Sequence, residues 1–102
     1  MYIYNVSIQL EQAIEKDWLQ WMYEEHLNDV MQTGCFYQYE LFELLLPNDQ
    51  TPTKTYIVKY FANTMSDYER YIEQFASQLR DKGIQKFQDR FIGFRTLLRK
   101  VE

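Results

Sequence analysis

The hydrophobic pattern changes its period along the chain, and this change limits the possible folds more than any other feature. In residues 2–10, apolar side chains occupy every even position and mainly polar ones occupy the odd positions, which predicts a half-buried strand. From about Gln12 to Val30, apolar residues recur at three- and four-residue steps, and Gly34 then supplies the residue that commonly ends a helix. The chain is therefore predicted to begin with a strand and a helix of about 18 to 20 residues.

The same two periods recur in the rest of the chain. Residues 35–46 and 54–62 predict two strands of a hairpin, joined by a loop at 47–52 that contains two prolines. Ser66 and Glu69 match a capping box, so Ser66 is predicted to cap a second helix, with Tyr68, Tyr71 and Phe75 on its apolar face. Gly83 is predicted to end this helix, Phe87 to pack inward from a short turn, and residues 91–98 to form the last strand.

The resulting order is strand, helix, strand, strand, helix, strand, without an internal repeat or a linker. This order is typical of the ferredoxin-like βαββαβ fold of the α+β class, in which a four-stranded antiparallel sheet carries both helices on one face. A chain of 102 residues is long enough to bury a core of its own. We therefore predict a single ferredoxin-like domain that spans residues 1–102.

The later strands are apolar on both of their faces. In the last strand, for example, Ile92, Phe94 and Leu98 alternate with Phe91 and Leu97. Because helices can cover only one face of the sheet, the other face is predicted to expose an apolar patch, and such patches usually mark interfaces. The aromatic content of 18% fits a second buried surface. A two-fold homodimer that packs its helix-free sheet faces together is therefore predicted.

Charge and cysteine content exclude several functional classes. The net charge is -4 and the basic residues are scattered, so nucleic acid is not an expected partner. The longest apolar run, residues 44–46, is far shorter than the about 20 residues of a membrane span, and no secretion signal opens the chain. A cytoplasmic location without membrane contact is therefore predicted.

Cys35 is the only cysteine and is predicted to be a buried small apolar residue. The spacing of His, Cys and acidic residues predicts neither a metal nor a cofactor.

One cluster in the first helix is a candidate site. At about 100° per residue, Glu25, His26 and Asp29 fall on the same side of the helix as the apolar stripe. A histidine beside carboxylates can act as a general base, so His26 and Glu25 are the catalytic candidates. Trp18, Trp21 and Met22 would line a ligand pocket. Arg95 in the last strand is a planar donor that could bind a substrate carboxylate.

Each candidate residue also has a purely structural interpretation. His26 lies near a helix C-terminus, where a solvated cation interacts favourably with the helix dipole. The two tryptophans fit an ordinary core, and Arg95 fits an ion pair on the sheet. The functional hypothesis predicts that Glu25, His26 and Arg95 converge on one cavity with the tryptophans in its wall. The structural interpretation predicts a solvent-facing His26 above a filled interior.

Several segments of the chain are similar to a known family. They are Ile3-Tyr4-Asn5-Val6, Trp18-Leu19-Gln20-Trp21-Met22, Thr33-Gly34-Cys35-Phe36, Asp67-Tyr68-Glu69-Arg70-Tyr71 and Phe94-Arg95-Thr96-Leu97-Leu98. With them, nearly the whole chain resembles the bacterial family known as domain of unknown function 4286, which has no established activity. The layout also resembles the dimeric α+β barrel group, which includes cofactor-independent monooxygenases, isomerase-like enzymes and ligand-sensing domains. In several enzymes of that group a polar residue late in the first helix faces a pocket, and the resemblance implies this position for His26.

Three functions fit these observations. The first is a homodimer that binds a small organic ligand between helices and sheet without turnover. The second is a cofactor-independent enzyme, monooxygenase- or isomerase-like, that uses His26. The third is a structural or adaptor dimer without a ligand. Nothing in the residue spacing identifies a substrate, and fold analogy alone does not assign an activity.

Overall fold

The computed structural model describes residues 1–47 and 52–102. The strands are β1 (Tyr2–Glu11), β2 (Gln38–Glu43), β3 (Thr53–Ala62) and β4 (Phe91–Arg99). The α-helices are α1 (Glu15–Trp21), α2 (Leu27–Gln32), α3 (Met65–Gln74) and α4 (Ala76–Phe87). A 3₁₀ turn (Gln12–Ile14) leads into α1, and a π-helical turn (Met22–His26) joins α1 to α2. Each of the two predicted helices is thus divided into two α-helices.

The four strands form an antiparallel sheet in the order β2-β3-β1-β4. In this register Val6 of β1 lies opposite Val58 of β3 and Arg95 of β4, so the three residues share one face of the sheet. The predicted ferredoxin-like βαββαβ fold of the α+β class is confirmed.

The core lies between the helices and the face of the sheet that carries Val6. Ile8, Leu10 and Val58 are buried there, and they belong to one apolar cluster with Trp18 and Leu79 of the helices. Each fully buried aliphatic side chain contributes roughly 1.5–3 kcal/mol. Burial of these alternate strand positions therefore holds the helices on this face. None of the helices in the described part of the chain is long and apolar enough to cross a bilayer.

The opposite face of the sheet presents large apolar side chains to solvent. Ile92 and Phe94 of β4 are 57% and 59% exposed, and Phe42 of β2 is 44% exposed. Phe42 lies opposite Ile57, and Ser7 lies opposite both Ile57 and Phe94, so this row of residues crosses the sheet from one edge to the other. The exposed apolar face predicted from the strand pattern is therefore present.

Strand β2 is shorter than the predicted segment 35–46. Cys35 and Phe36 are buried before the strand begins, so the prediction that Cys35 is a buried apolar residue is confirmed. Leu45 and Leu46, after the strand, are 72% and 78% exposed. The strand lies at the sheet edge and pairs with β3 alone, so no second neighbour extends the pairing. Most of the predicted loop, residues 48–51, lies outside the described residues.

The prediction that Gly83 ends the second helix is wrong. The interruption lies at Phe75, where the backbone leaves α-helical geometry, whereas Gly83 is a buried residue inside α4. A Cβ atom at Gly83 would lie 3.2 Å from Cη2 of Trp21. The glycine thus leaves room for the indole ring instead of ending the helix. Phe87, the last residue of α4, is buried as predicted.

The prediction that Ser66 caps the second helix is also wrong. Helix α3 begins one residue before it, at Met65, and the hydroxyl of Thr64 accepts a hydrogen bond of 3.1 Å from the backbone N–H of Asp67. Thr64 therefore occupies the capping position, because its side chain satisfies an amide that has no partner within the helix.

Replacing Thr64 with alanine is expected to lower the free energy of unfolding by about 1 kcal/mol, because it removes the acceptor at the helix start. Ser66→Ala is the matched control, and its free energy of unfolding should stay within about 0.5 kcal/mol of that of the wild type. Urea denaturation measures both. An equal loss in the two variants would contradict the assignment of the cap.

Candidate ligand-binding site

A cavity of about 60 Å³ lies between the helices and the sheet. Its lining is mainly apolar and aromatic. The sheet contributes Tyr4, Val6, Ile8, Val58, Tyr60, Phe91 and Arg95, and the helical segments contribute Trp18, Trp21, Met22, His26, Tyr71, Ala76, Leu79, Arg80 and Gly83. Of the predicted site residues, His26, Trp18, Trp21, Met22 and Arg95 therefore meet at one cavity.

The π-helical turn brings His26 to the cavity wall. A π turn contains more residues than an α-helical turn. Around the helix axis, each side chain after the turn therefore lies up to about 100° behind the angular position that it would have in a uniform α-helix. In a uniform helix Leu27 would point away from the stripe that contains Trp18, yet Leu27 is only 2% exposed. The lag turns His26 and Leu27 inward. The imidazole then stacks on Trp21, five residues earlier, with ring centroids 4.6 Å apart.

Burial controls the charge of His26. It lowers the pKa of the imidazole to about 4, and the positive charges of Lys82 and Arg95 act in the same direction. The carboxylates of Asp29 and Glu25 oppose this shift without cancelling it. His26 is therefore neutral near pH 7, and the interpretation of His26 as a solvated cation at the helix end is wrong.

The hydrogen bonding of the His26 imidazole is incomplete among the described residues. Its Nδ1 atom is buried and is unpaired within the part of the chain that the structure describes. A buried polar atom without a partner costs about 1–3 kcal/mol. A molecule in the cavity that hydrogen-bonds to His26 would remove this cost.

The carboxylates of the predicted cluster lie elsewhere. The Glu25 side chain is exposed and lines a separate groove with Lys86 and Arg90. Asp29 forms a salt bridge of 3.2 Å with Lys82. The prediction that Glu25 converges with His26 and Arg95 on one cavity is therefore wrong, because the π turn rotates the two neighbouring residues to different sides of the helix.

Strand register places Arg95 on the side of the helices. Arg95 lies opposite Val6, whose side chain lines the cavity. Among residues 1–47 and 52–102, no carboxylate lies within ion-pair distance of Arg95. The described residues therefore do not support the alternative interpretation of Arg95 as an ion-paired residue.

Four wall residues that carry polar side-chain groups are absent from the site predicted by the sequence pattern: Arg80, Tyr4, Tyr60 and Tyr71. Arg80 directly follows Leu79, which lies four residues after Phe75 and so continues the apolar face predicted for the second helix. The position of Arg80 beside that face was the available signal. The three tyrosines follow the same strand and helix periods as ordinary core residues, so their positions in the sequence do not mark them as residues of a site. Burial raises the pKa of both Tyr60 and Tyr71, so these phenols remain protonated and can donate hydrogen bonds.

The lining suits binding better than acid–base chemistry. It combines aromatic walls with a few polar groups, as small-molecule sites commonly do. No Asp or Glu of the described residues lines the cavity. The described residues also contain no group of three His, Cys, Asp or Glu side chains placed to hold a metal ion.

Solved structures with the same fold were found at low sequence identity, whereas no curated protein matches the sequence. HapK from Hahella chejuensis has a TM-score of 0.71 and 10% identity, over 99% of this chain and 93% of that one. A dimeric ferredoxin-like protein from an uncultured marine organism has a TM-score of 0.69 and 11% identity, over 100% of this chain and 96% of that one. SnoaB, a cofactor-independent oxygenase from Streptomyces nogalater, has a TM-score of 0.57 and 10% identity, over 99% of this chain and 94% of that one.

At these identities the likeness shows the fold alone, and the neighbours with this fold include dimeric ferredoxin-like proteins. The sequence itself gives a more specific match. The family described as Domain of unknown function (DUF4286) matches residues 1–101. The chain therefore belongs to the DUF4286 family, in agreement with the resemblance in its sequence motifs.

Proposed function

We propose that this protein binds a small organic molecule in the cavity between its helices and its sheet. The observation that carries this proposal is the buried, unpaired Nδ1 atom of His26 at the wall of an apolar cavity. A purely structural core gains nothing from such an atom, whereas a ligand that hydrogen-bonds to it stabilises the complex. The stacked Trp21 ring fixes the orientation of the imidazole.

Binding is a better proposal than turnover by His26. A general base works best when its pKa lies near the working pH, and the pKa of His26 is lowered to about 4. Glu25, the carboxylate that would orient the imidazole, lines a different groove. A cofactor-independent enzyme remains the alternative, because SnoaB is a cofactor-independent oxygenase with a similar fold.

We further propose that the protein is a homodimer whose subunits pack their helix-free sheet faces together. Phe42, Ile92 and Phe94 are each more than two-fifths exposed on this face. Exposed apolar patches of this kind usually mark interfaces, and a two-fold dimer covers the same patch on both subunits. Dimeric ferredoxin-like proteins among the structural neighbours support a dimeric state.

Native mass spectrometry after incubation with a cellular metabolite extract tests the ligand proposal. The wild-type protein is expected to retain at least one small molecule. His26→Gln preserves approximate size and polarity, and it is expected to retain at least tenfold less, because the hydrogen bond to the imidazole is lost. Glu24→Gln is the matched control, since Glu24 lies on the same π turn but outside the cavity.

Thermal unfolding of the three proteins at pH 7.5 shows whether a loss of binding reflects a loss of folding. Midpoints within a few degrees of one another are expected. Retention of the same molecule by wild type and His26→Gln alike would remove His26 from the site. A wild-type protein that retains no molecule would favour the structural or adaptor dimer.

A further inference from the structure

Two arginine side chains lie where the cavity meets an open groove. Arg80 of α4 and Arg95 of β4 both line the inner cavity, and both also line the groove between α4 and β4. Phe91 is the third residue shared by the two. The two guanidinium groups therefore stand at the entrance through which a ligand would reach His26.

Neither arginine has an ion-pair partner among the described residues. In the described ranges, other cations form salt bridges, such as Arg90 with Glu11 at 2.8 Å, whereas Arg80 and Arg95 form none. Asp89 lines the outer groove, but the described lining of the inner cavity contains no acidic residue. An excess of positive charge at the mouth of an apolar cavity favours a ligand that carries negative charge.

Gly93 gives Arg95 its position. A Cβ atom built on Gly93 would lie 3.2 Å from both terminal nitrogens of Arg95 and 3.2 Å from Cδ1 of Ile8. Among the described glycines, a positive φ is found at Gly34 and not at Gly93, so the backbone does not require glycine at position 93. The missing side chain instead provides the space beside Gly93 that the guanidinium of Arg95 occupies.

The volume of the cavity limits the ligand. At about 60 Å³ it is well below the roughly 150 Å³ of an engineered protein cavity that admits benzene. A body of only a few carbon atoms fits inside. Its polar end must then lie at the entrance, where the guanidinium forks can hold the two oxygens of a carboxylate.

We propose that the ligand is a short-chain carboxylate, with its apolar body against Trp21 and its carboxylate between Arg80 and Arg95, and that Gly93 is a positioning residue for Arg95. This inference rests on the proposed function and specifies the class of molecule that the cavity takes. It assigns a binding role to Arg80 and a positioning role to Gly93, and the sequence pattern singles out neither residue.

Butyrate and butyramide are the probes, because they match in size and differ in charge. Ligand-observed NMR titrations should show butyrate binding at least tenfold more tightly than butyramide. Benzoate, whose ring exceeds the cavity, and inorganic phosphate, which lacks an apolar body, should each bind at least tenfold more weakly than butyrate. The ratio of butyrate to butyramide affinity is the main readout, since a general structural defect weakens both probes alike.

Arg80→Gln and Arg95→Gln are each expected to reduce this ratio to near one. Arg99→Gln is the control, because Arg99 lies on the same strand as Arg95 but outside the cavity, and the ratio should not change. Gly93→Ala should lower the ratio several-fold while the unfolding midpoint stays close to that of the wild type. Arg95→Lys should restore part of the ratio that Arg95→Gln loses, because it keeps the charge and loses the planar fork.

Equal affinities for butyrate and butyramide in the wild type would overturn the inference, and so would phosphate or benzoate binding as tightly as butyrate. Absence of binding by all the probes would overturn it as well. The metabolite experiment separates this failure from that of the proposed function. If the wild type retains a neutral molecule and His26→Gln does not, the cavity is a ligand site and only the carboxylate assignment is wrong.

Discussion

Replacing Phe94 with aspartate is expected to weaken the proposed dimer at least 100-fold and to give a 12.6 kDa monomer at micromolar concentration. Phe94 is 59% exposed in the subunit and lies on the helix-free sheet face. Two-fold symmetry places the change twice in the interface, and an unpaired charge in an apolar interface costs several kcal/mol. A 100-fold change corresponds to about 2.7 kcal/mol. Sedimentation velocity over a concentration series measures the effect.

Tyr23→Asp is the matched control for this substitution. Tyr23 is a similarly exposed aromatic residue, at 65%, but it lies on the π turn on the helical side of the molecule. Its replacement should leave the sedimentation coefficient of the dimer unchanged. A wild-type protein that sediments as a monomer would contradict the proposed interface, and a Phe94→Asp protein that remains dimeric would place the interface elsewhere.

The stability of the protein is expected to fall between pH 6.5 and pH 4 because of His26. Burial lowers the pKa of its imidazole from 6.5 to about 4, so over this range the unfolded chain binds a proton that the folded protein does not. Protonation therefore favours unfolding as the pH falls, and the effect levels off below about pH 4. A shift of this size corresponds to a free energy on the order of 3 kcal/mol.

His26→Gln isolates this contribution from that of the carboxylates. The negative charges of Asp29 and Glu25 oppose the shift, the positive charges of Lys82 and Arg95 add to it, and all four groups remain in the variant. Urea denaturation at several pH values should show a smaller loss of stability in His26→Gln than in the wild type. Parallel curves for the two proteins would contradict the inward, desolvated position of His26.

Local sequence patterns determined the order and type of the secondary-structure elements. Strand β1 follows from period-two alternation, and the end of α2 follows from Gly34, whose φ of 74° suits glycine. The exposed apolar face also follows from sequence, because strands that are apolar on both faces cannot be covered by helices on one side. These features depend on residues close together in the chain, so their periodicity is sufficient to predict them.

The helix starts and interruptions were less predictable. Thr64 and Ser66 are both good capping residues, and the choice between them depends on where the chain leaves β3. Gly83 resembles a helix terminator in sequence, but it is retained inside α4 because Trp21 packs against it from another helix. Contacts between distant residues override local preference at such positions.

The candidate site was predictable only in part. The apolar stripe identified Trp18, Trp21 and Met22 as residues of one face, and the only histidine in the chain drew attention to His26. The π turn then decided that His26 lines the cavity and that Glu25 does not. A π turn differs from an α turn by one residue in its hydrogen bonding, and the tertiary packing around Leu27 and Trp21 selects it.

The charge at the cavity mouth depended on tertiary structure for a different reason. The sequence places Arg95 in a strand that has apolar residues on both faces. Alternation alone therefore does not show toward which face of the sheet the Arg95 side chain points. The pairing of β4 with β1 sets Arg95 opposite Val6 and therefore on the side of the helices. Helix α4 brings Arg80 to the same entrance, 15 positions earlier in the chain. Sequence thus determined which elements form and which of their faces are apolar, whereas strand register and helix packing decided which polar side chains meet.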